Sequence, residues 1–255
     1  MATFTGTDQA DTADAGAGIL IGFTGGTMEE LTDDAGDVFI GLAGNDLVHA
    51  GRGDDLLRGG LGADLLDGGL GSDTVDYSDN FGSVFVNLDI GRGFNNAAEG
   101  DSYTGIENVV GTIFADFFIG NADANRLDGS QGDDYLIGSL GADELIGGSG
   151  FDIASYEENA GAIFINLLTG RGFNNAAEGD TLSGIEGIVG TSYGDYIIAA
   201  SNGDQGSRTQ RSNGRQQTFF SDADYRAYRD LLRKHCAAHG VRVWSWVLMP
   251  NRTCA

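Results

Sequence analysis

Gly41-Leu42-Ala43-Gly44-Asn45-Asp46-Leu47-Val48-His49 runs directly into Ala50-Gly51-Arg52-Gly53-Asp54-Asp55-Leu56-Leu57-Arg58. Then come Gly59-Gly60-Leu61-Gly62-Ala63-Asp64-Leu65-Leu66-Asp67 and Gly68-Gly69-Leu70-Gly71-Ser72-Asp73-Thr74-Val75-Asp76. These are four nonapeptides in unbroken register, written G-G-x-G-x-D-x-U-x with U a large aliphatic residue. A nine-residue period with fixed glycines is the mark of a solenoid rather than of a domain folded around one ordinary core. Each unit reads as a turn followed by a short strand. Glycine at the turn positions allows backbone conformations that a Cβ forbids. The two-residue alternation of β structure then sends position eight inward and its neighbours outward.

The same phase returns from Gly111 to Ser155, where position six holds Asp116, Asn125, Asp134, Asp143 and Asp152. Position eight holds Val48, Leu57, Leu66 and Val75 in the first block, then Phe118, Leu127, Leu136, Leu145 and Ala154 in the second, and this column is the expected core. A longer repeat lies over the short one: Gly91-Arg92-Gly93-Phe94-Asn95-Asn96-Ala97-Ala98-Glu99-Gly100-Asp101 recurs unchanged from Gly170 to Asp180, 79 residues later. Each copy is therefore a block of nonapeptides, an alternating apolar strand, a polar loop and a Gly-Ile-Glu segment at Gly105 or Gly184. A third block begins at Gly190, with Asp195 and Ile197 in place.

Two nonapeptides make one coil, so units 18 residues apart should stack. That places Asp46 beside Asp64, Asp55 beside Asp73, Asn125 beside Asp143, and Asp116, Asp134 and Asp152 in one row. At a strand spacing of roughly 4.8 Å, two carboxylates repel by about 3–4 kcal/mol at an effective dielectric near 20. A hard divalent cation with six to eight oxygen ligands removes that repulsion, and turn carbonyls complete its shell. Calcium fits better than magnesium, which demands a stricter octahedron. It also fits better than zinc, because the repeats hold no cysteine and a single histidine, His49, at the variable ninth position where it should face solvent.

Composition agrees with that reading. The chain has 255 residues, 43 glycines and one proline, far from ordinary globular usage. Residues 1–205 carry a net charge of −30 and residues 206–255 one of +6. Such an acidic stretch repels nucleic acid and anionic membranes and attracts cations. Both cysteines, Cys236 and Cys254, lie in the basic part, so the acidic part owes nothing to disulfides. No apolar run is long enough to span a membrane, and no cleavable signal peptide is evident at the N-terminus. The acidic part shows no His-Glu-x-x-His helix, P-loop or EF-hand loop, which points away from an enzyme.

With its three glycines, one aspartate and one aliphatic residue per unit, the segment of about residues 1–205 resembles the haemolysin-type calcium-binding repeats of RTX proteins. The resemblance implies an all-β fold, a parallel β-roll, secreted without a cleavable signal by type I machinery and folding on extracellular Ca²⁺. It also implies that position-six aspartates and turn carbonyls bind calcium between adjacent turns. Carried over, these are Asp46, Asp55, Asp64, Asp73, Asp116, Asp134, Asp143 and Asp152, with the turn backbone of Gly44, Gly53, Gly62, Gly71, Gly132, Gly141 and Gly150. The units of Asp116 and Asn125 lack the second and fourth glycines, and Asn125 marks a weak or empty site. Asp54 and Asp133, at position five, read as charge around the ion.

The basic tail is different. Ser221-Asp222-Ala223-Asp224 is a capping signal for a helix with Tyr225, Tyr228, Leu231 and Leu232 on one stripe, and residues 241–248 read as a strand, giving a short C-terminal β-α-β fragment if Thr218-Phe219-Phe220 is an extended strand. His235 and His239, four apart, lack a third ligand and read as part of a solvated face. Over about residues 211–251 the tail resembles the start of REP-associated tyrosine transposases of the HUH class, through Phe219 to Tyr228, Leu231-Leu232, His239-Gly240-Val241 and Trp246 to Asn251. Where that family has its metal-binding His-x-His, this chain has Arg252-Thr253-Cys254, so the resemblance implies ancestry rather than nuclease chemistry. The expected organisation is a capping segment over residues 1–40, β-roll modules over 41–110 and 111–205, and a truncated transposase-like tail over 206–255. The main expectation is a secreted, non-catalytic calcium-binding module. The alternative is a DNA-binding transposase remnant fused to RTX sequence, with nucleic acid reached only through the basic tail. Such a tail in place of the usual C-terminal secretion signal puts export in question.

Overall fold

Three-residue strands separated by glycine turns leave only one side chain per unit free to point inward, and the architecture follows from that economy. A computed structural model describes residues 1–16, 19–25, 27, 34–198, 209–213 and 217–218. Strands such as Leu56–Arg58, Phe117–Ile119, Arg126–Asp128 and Tyr135–Ile137 bury their central residue and half-expose its neighbours. The whole position-eight column expected from the sequence is buried, and all of it belongs to one continuous hydrophobic cluster.

Successive units alternate between two 12-stranded sheets. In one sheet Val38–Ile40 pairs with Leu56–Arg58, which pairs with Thr74–Asp76; in the other Thr12–Asp14 pairs with Leu47–Arg52, which pairs with Leu65–Leu70. These pairings are parallel, and within the nonapeptide blocks their register is the 18-residue stacking read from the sequence: Leu47 opposite Leu65, Leu56 opposite Thr74, Arg126 opposite Glu144, Tyr135 opposite Ile153. The fold is a parallel β-roll. Residues ahead of the first expected repeat join it too, because Thr3–Thr5 pairs with Val38–Ile40, and Phe4 and Phe39 stack at 5.0 Å inside the roll.

Each long repeat adds an antiparallel excursion. In the first, Phe85–Asn87 turns back through Arg92–Phe94 and Ser102–Thr104, and the last of these rejoins the roll beside Leu65–Leu70. In the second, Phe164–Asn166, Arg171–Phe173 and Thr181–Ser183 do the same beside Glu144–Ile146. The two excursions lie in opposite sheets, so extra strands on one side are matched by extra strands on the other.

His49 departs from the expectation of a free solvent-facing side chain. It is half-buried, with Nδ1 3.2 Å from Oδ2 of Asp14, because the coil above places a carboxylate at the same register. The helix expected from Ser221 and the strand over 241–248 lie outside the described residues. Of the expected strand at 218–220, Thr218 belongs to Gln217–Thr218, antiparallel to Gly187–Val189.

Candidate metal centre

Position six opens each strand, and the roll stacks these residues into buried columns. All eight expected aspartates are buried, and one oxygen of each accepts a backbone N–H from the preceding coil. Asp46 N–H donates to Oδ1 of Asp64 at 2.8 Å, Asp55 to Asp73 at 2.8 Å, Asp116 to Asp134 at 2.7 Å, Asn125 to Asp143 at 2.9 Å and Asp134 to Asp152 at 2.8 Å. Half of each carboxylate is therefore satisfied by the fold itself, a feature that sequence spacing did not reveal.

The other half separates the aspartates into kinds. Oδ2 of Asp46, Asp55, Asp64, Asp73, Asp134, Asp143 and Asp152 is buried and has no hydrogen-bond partner. A buried acceptor left without a partner costs about 1–3 kcal/mol, and more when it is charged. Around these atoms are further acceptors. A Cβ placed on Gly41 would meet both Oδ2 of Asp46 and the carbonyl of Gly59, and one on Gly129 would meet Oδ2 of Asp134 and the carbonyl of Gly147. Gly147 similarly faces Oδ2 of Asp152 and the carbonyl of Gly184. A carboxylate oxygen and a carbonyl oxygen thus converge where only a glycine leaves room. Two acceptors with no donor between them suit a hard, oxygen-seeking cation, and the chemistry of this donor set fits calcium. Among the described residues no three His, Cys, Asp or Glu side chains gather in one cluster; at Gly41, Gly129 and Gly147 the second acceptor beside the carboxylate is a backbone carbonyl.

Turn conformation explains the convergence. Gly44, Gly53, Gly62, Gly71, Gly132, Gly141 and Gly150, at position four, all have φ between 118° and 153°. Position two is also left-handed in the same seven turns, including three residues that bear a Cβ: Leu42, Ser130 and Ser139, with φ of 77°, 70° and 76°.

Electrostatics follows burial. Without a cation, burial raises the carboxyl pKa of Asp46 and Asp73 to about 6, of Asp55, Asp143 and Asp152 to about 7, and of Asp134 to about 9. At Asp134 the N–H of Asp116 offsets part of the burial effect, and the charges of Asp152, Asp116 and Asp133 add to it. Asp64 is raised for the same first reason. Burial raises Asp116 as well, to about 6, so the shift follows burial rather than an unmet oxygen.

A sequence model of the RTX calcium-binding nonapeptide repeat (4 copies) matches residues 31–75, 102–136 and 119–154. Those stretches are similar to RTX repeats. A comparison with curated proteins found no match for the chain. The matched RTX stretches contain all eight expected aspartates, and they begin ahead of the first unit identified by its glycines, where Asp37 sits.

The RTX columns also hold residues that the nonapeptide pattern missed. Asp37 accepts the N–H of Ala2 and donates its own to Asp55. Asp101 and Asp180 accept from Asp64 and Asp143, both at 2.9 Å, and Glu107 and Glu186 take the N–H groups of Asp73 and Asp152. Asp37 keeps the nine-residue phase, nine before Asp46, in a unit without the first, second and fourth glycines, whereas the other four follow inserted loops that break it. The signal that locates them is an acidic residue immediately before a three-residue strand. Asp54 and Asp133 accept N–H groups of Ser72 and Phe151 and remain outside the columns.

Proposed function

We propose that the described roll is a calcium-binding RTX module that orders when Ca²⁺ fills its open turns, works outside the cell and performs no catalysis itself. The observation that carries this reading is the set of seven buried Oδ2 atoms without a donor, several of them facing a backbone carbonyl. A ladder with that many unmet charges is unstable as it stands, and a divalent ion of the calcium type meets the charge and the missing coordination together. Coupling of metal binding to folding follows, because the unfolded chain has no preformed site. Extracellular RTX-type modules commonly work at calcium affinities of about 10⁻⁴–10⁻³ M, which keeps the chain open at low calcium and closes it where calcium is abundant. Passage through type I export machinery in the open state fits that behaviour.

The test is a calcium titration of the full chain followed by calorimetry and far-ultraviolet circular dichroism, with magnesium as the control ion. The reading expects a cooperative rise in β signal and heats of binding with calcium at millimolar concentration or below, and little response to magnesium. No calcium heat and no spectral change up to about 10 mM would reject it.

A further inference from the structure

Not every carboxylate in the columns lacks a partner. Asp116 Oδ2 accepts the backbone N–H of Thr112 at 2.6 Å, and the Thr112 hydroxyl lies 3.1 Å from both of its oxygens. Asp195 is held in the same way by the N–H and hydroxyl of Thr191, both at 2.8 Å, and Asp11 by those of Thr7. Two others are closed by tyrosine. Oδ2 of Asp101 accepts the Tyr77 hydroxyl at 2.6 Å, and Oδ2 of Asp180 accepts that of Tyr156 at 2.8 Å.

The three threonine-closed turns share a sequence feature. Position two is Thr7, Thr112 or Thr191, with no left-handed φ, and position four is Gln9, Phe114 or Tyr193 rather than glycine. Asn125 shows the same turn with a neutral side chain. The N–H of Asn121 at position two donates to its Oδ1 at 2.8 Å, and its Nδ2 donates to the carbonyl of Glu107 at 3.1 Å. Every turn with an orphaned Oδ2 has the opposite pair of features: a left-handed residue at position two and a left-handed glycine at position four.

We infer that positions two and four decide whether a turn takes calcium, and that at Asp11, Asp116 and Asp195 a threonine N–H and hydroxyl stand where the cation would otherwise be needed. The assignment rests on the reading of the open turns as calcium sites. It removes Asp116 from the ligands expected from the repeat pattern and treats the threonine turns as metal-independent rungs. A donor that already meets Oδ2 removes the unmet charge that would draw an ion, and adding Ca²⁺ there would mean breaking two or three hydrogen bonds to a carboxylate.

The experiment is calcium stoichiometry by calorimetry on the full chain and three variants. Asp116→Asn, for which Asn125 is the natural precedent, is expected to bind as many calcium ions as the wild type. Thr112→Gly with Phe114→Gly rebuilds an open turn and is expected to bind one ion more. Adding Asp116→Asn to that double variant is expected to return the count to the wild-type value. A lower count in Asp116→Asn overturns the inference, as does an unchanged count in a double variant that keeps its calcium-bound β signal. If the double variant does not fold, Asp116→Asn alone decides. If the wild type binds no calcium, the reading of the open turns fails instead, and the two failures are told apart on the first titration.

Discussion

Asp116 and Asp134 are adjacent rungs of one column, 18 residues apart, and the first donates its N–H to the second at 2.7 Å. Both are buried and both accept an N–H from the coil before. They differ at one oxygen. Oδ2 of Asp116 is met by Thr112, whereas Oδ2 of Asp134 is met by nothing and faces the carbonyl of Gly147. The lesson is that a shared column position does not make a shared site. The local turn, through positions two and four, decides which carboxylate is complete in itself and which needs an ion.

The largest effect on calcium affinity should come from removing charge at an open rung. Asp134→Asn is expected to weaken calcium binding at least tenfold, about 1.4 kcal/mol, since it replaces a charged ligand oxygen by a neutral amide. Calcium titration of the variant reads this directly, and an unchanged midpoint would place Asp134 with the closed rungs.

Acidity should act next. In chelator the folded carboxylates hold protons more tightly than the unfolded chain does, with values near 7 for Asp55 and 9 for Asp134 against an ordinary 3.8. The folded state then binds more protons, so metal-free stability is greatest below about pH 4 and falls as pH rises toward the range of about 6–9. Circular dichroism in chelator should show more β signal at pH 5 than at pH 8. With calcium present the difference should shrink or reverse, because protons compete with the ion. A metal-free signal that grows with pH would contradict the burial argument.

Tyr77→Phe tests the tyrosine closures. It leaves Oδ2 of Asp101 without its hydroxyl donor in a fully buried site, and denaturant unfolding in calcium should show a loss of about 1–3 kcal/mol. Thr112→Val should have the smallest effect of the set. The backbone N–H to Asp116 survives and only the hydroxyl contacts go, for about 1 kcal/mol or less, with calcium affinity unchanged.

Much of this was legible in the residues. The position-eight column and the 18-residue stacking follow from glycine spacing and strand alternation, and the roll places Leu57, Leu136 and Leu145 where that pattern puts them. The seven orphaned oxygens are those of the aspartates in the first block and in the last three units of the second. What could not be read is where backbone donors end up. The N–H to Oδ1 ladder depends on the pitch of the coil, and the closure of Asp101 depends on Tyr77 reaching across the core from 24 residues away. Glycine-threonine at Gly6-Thr7, Gly111-Thr112 and Gly190-Thr191, each opening a unit whose aspartate follows four residues after the threonine, was a visible signal of closure. Its meaning emerges only once the hydroxyl is seen against the carboxylate.

Amide hydrogen exchange, resolved along the chain in calcium and in chelator, probes the orphaned oxygens where they sit. If they require a cation, the N–H groups of Asp46, Asp55 and Asp134, which donate into this ladder, are slow to exchange in calcium and fast in chelator near neutral pH. Equal protection of these amides in both buffers would mean that the ladder closes unaided, and the cation would lose its place in the structure.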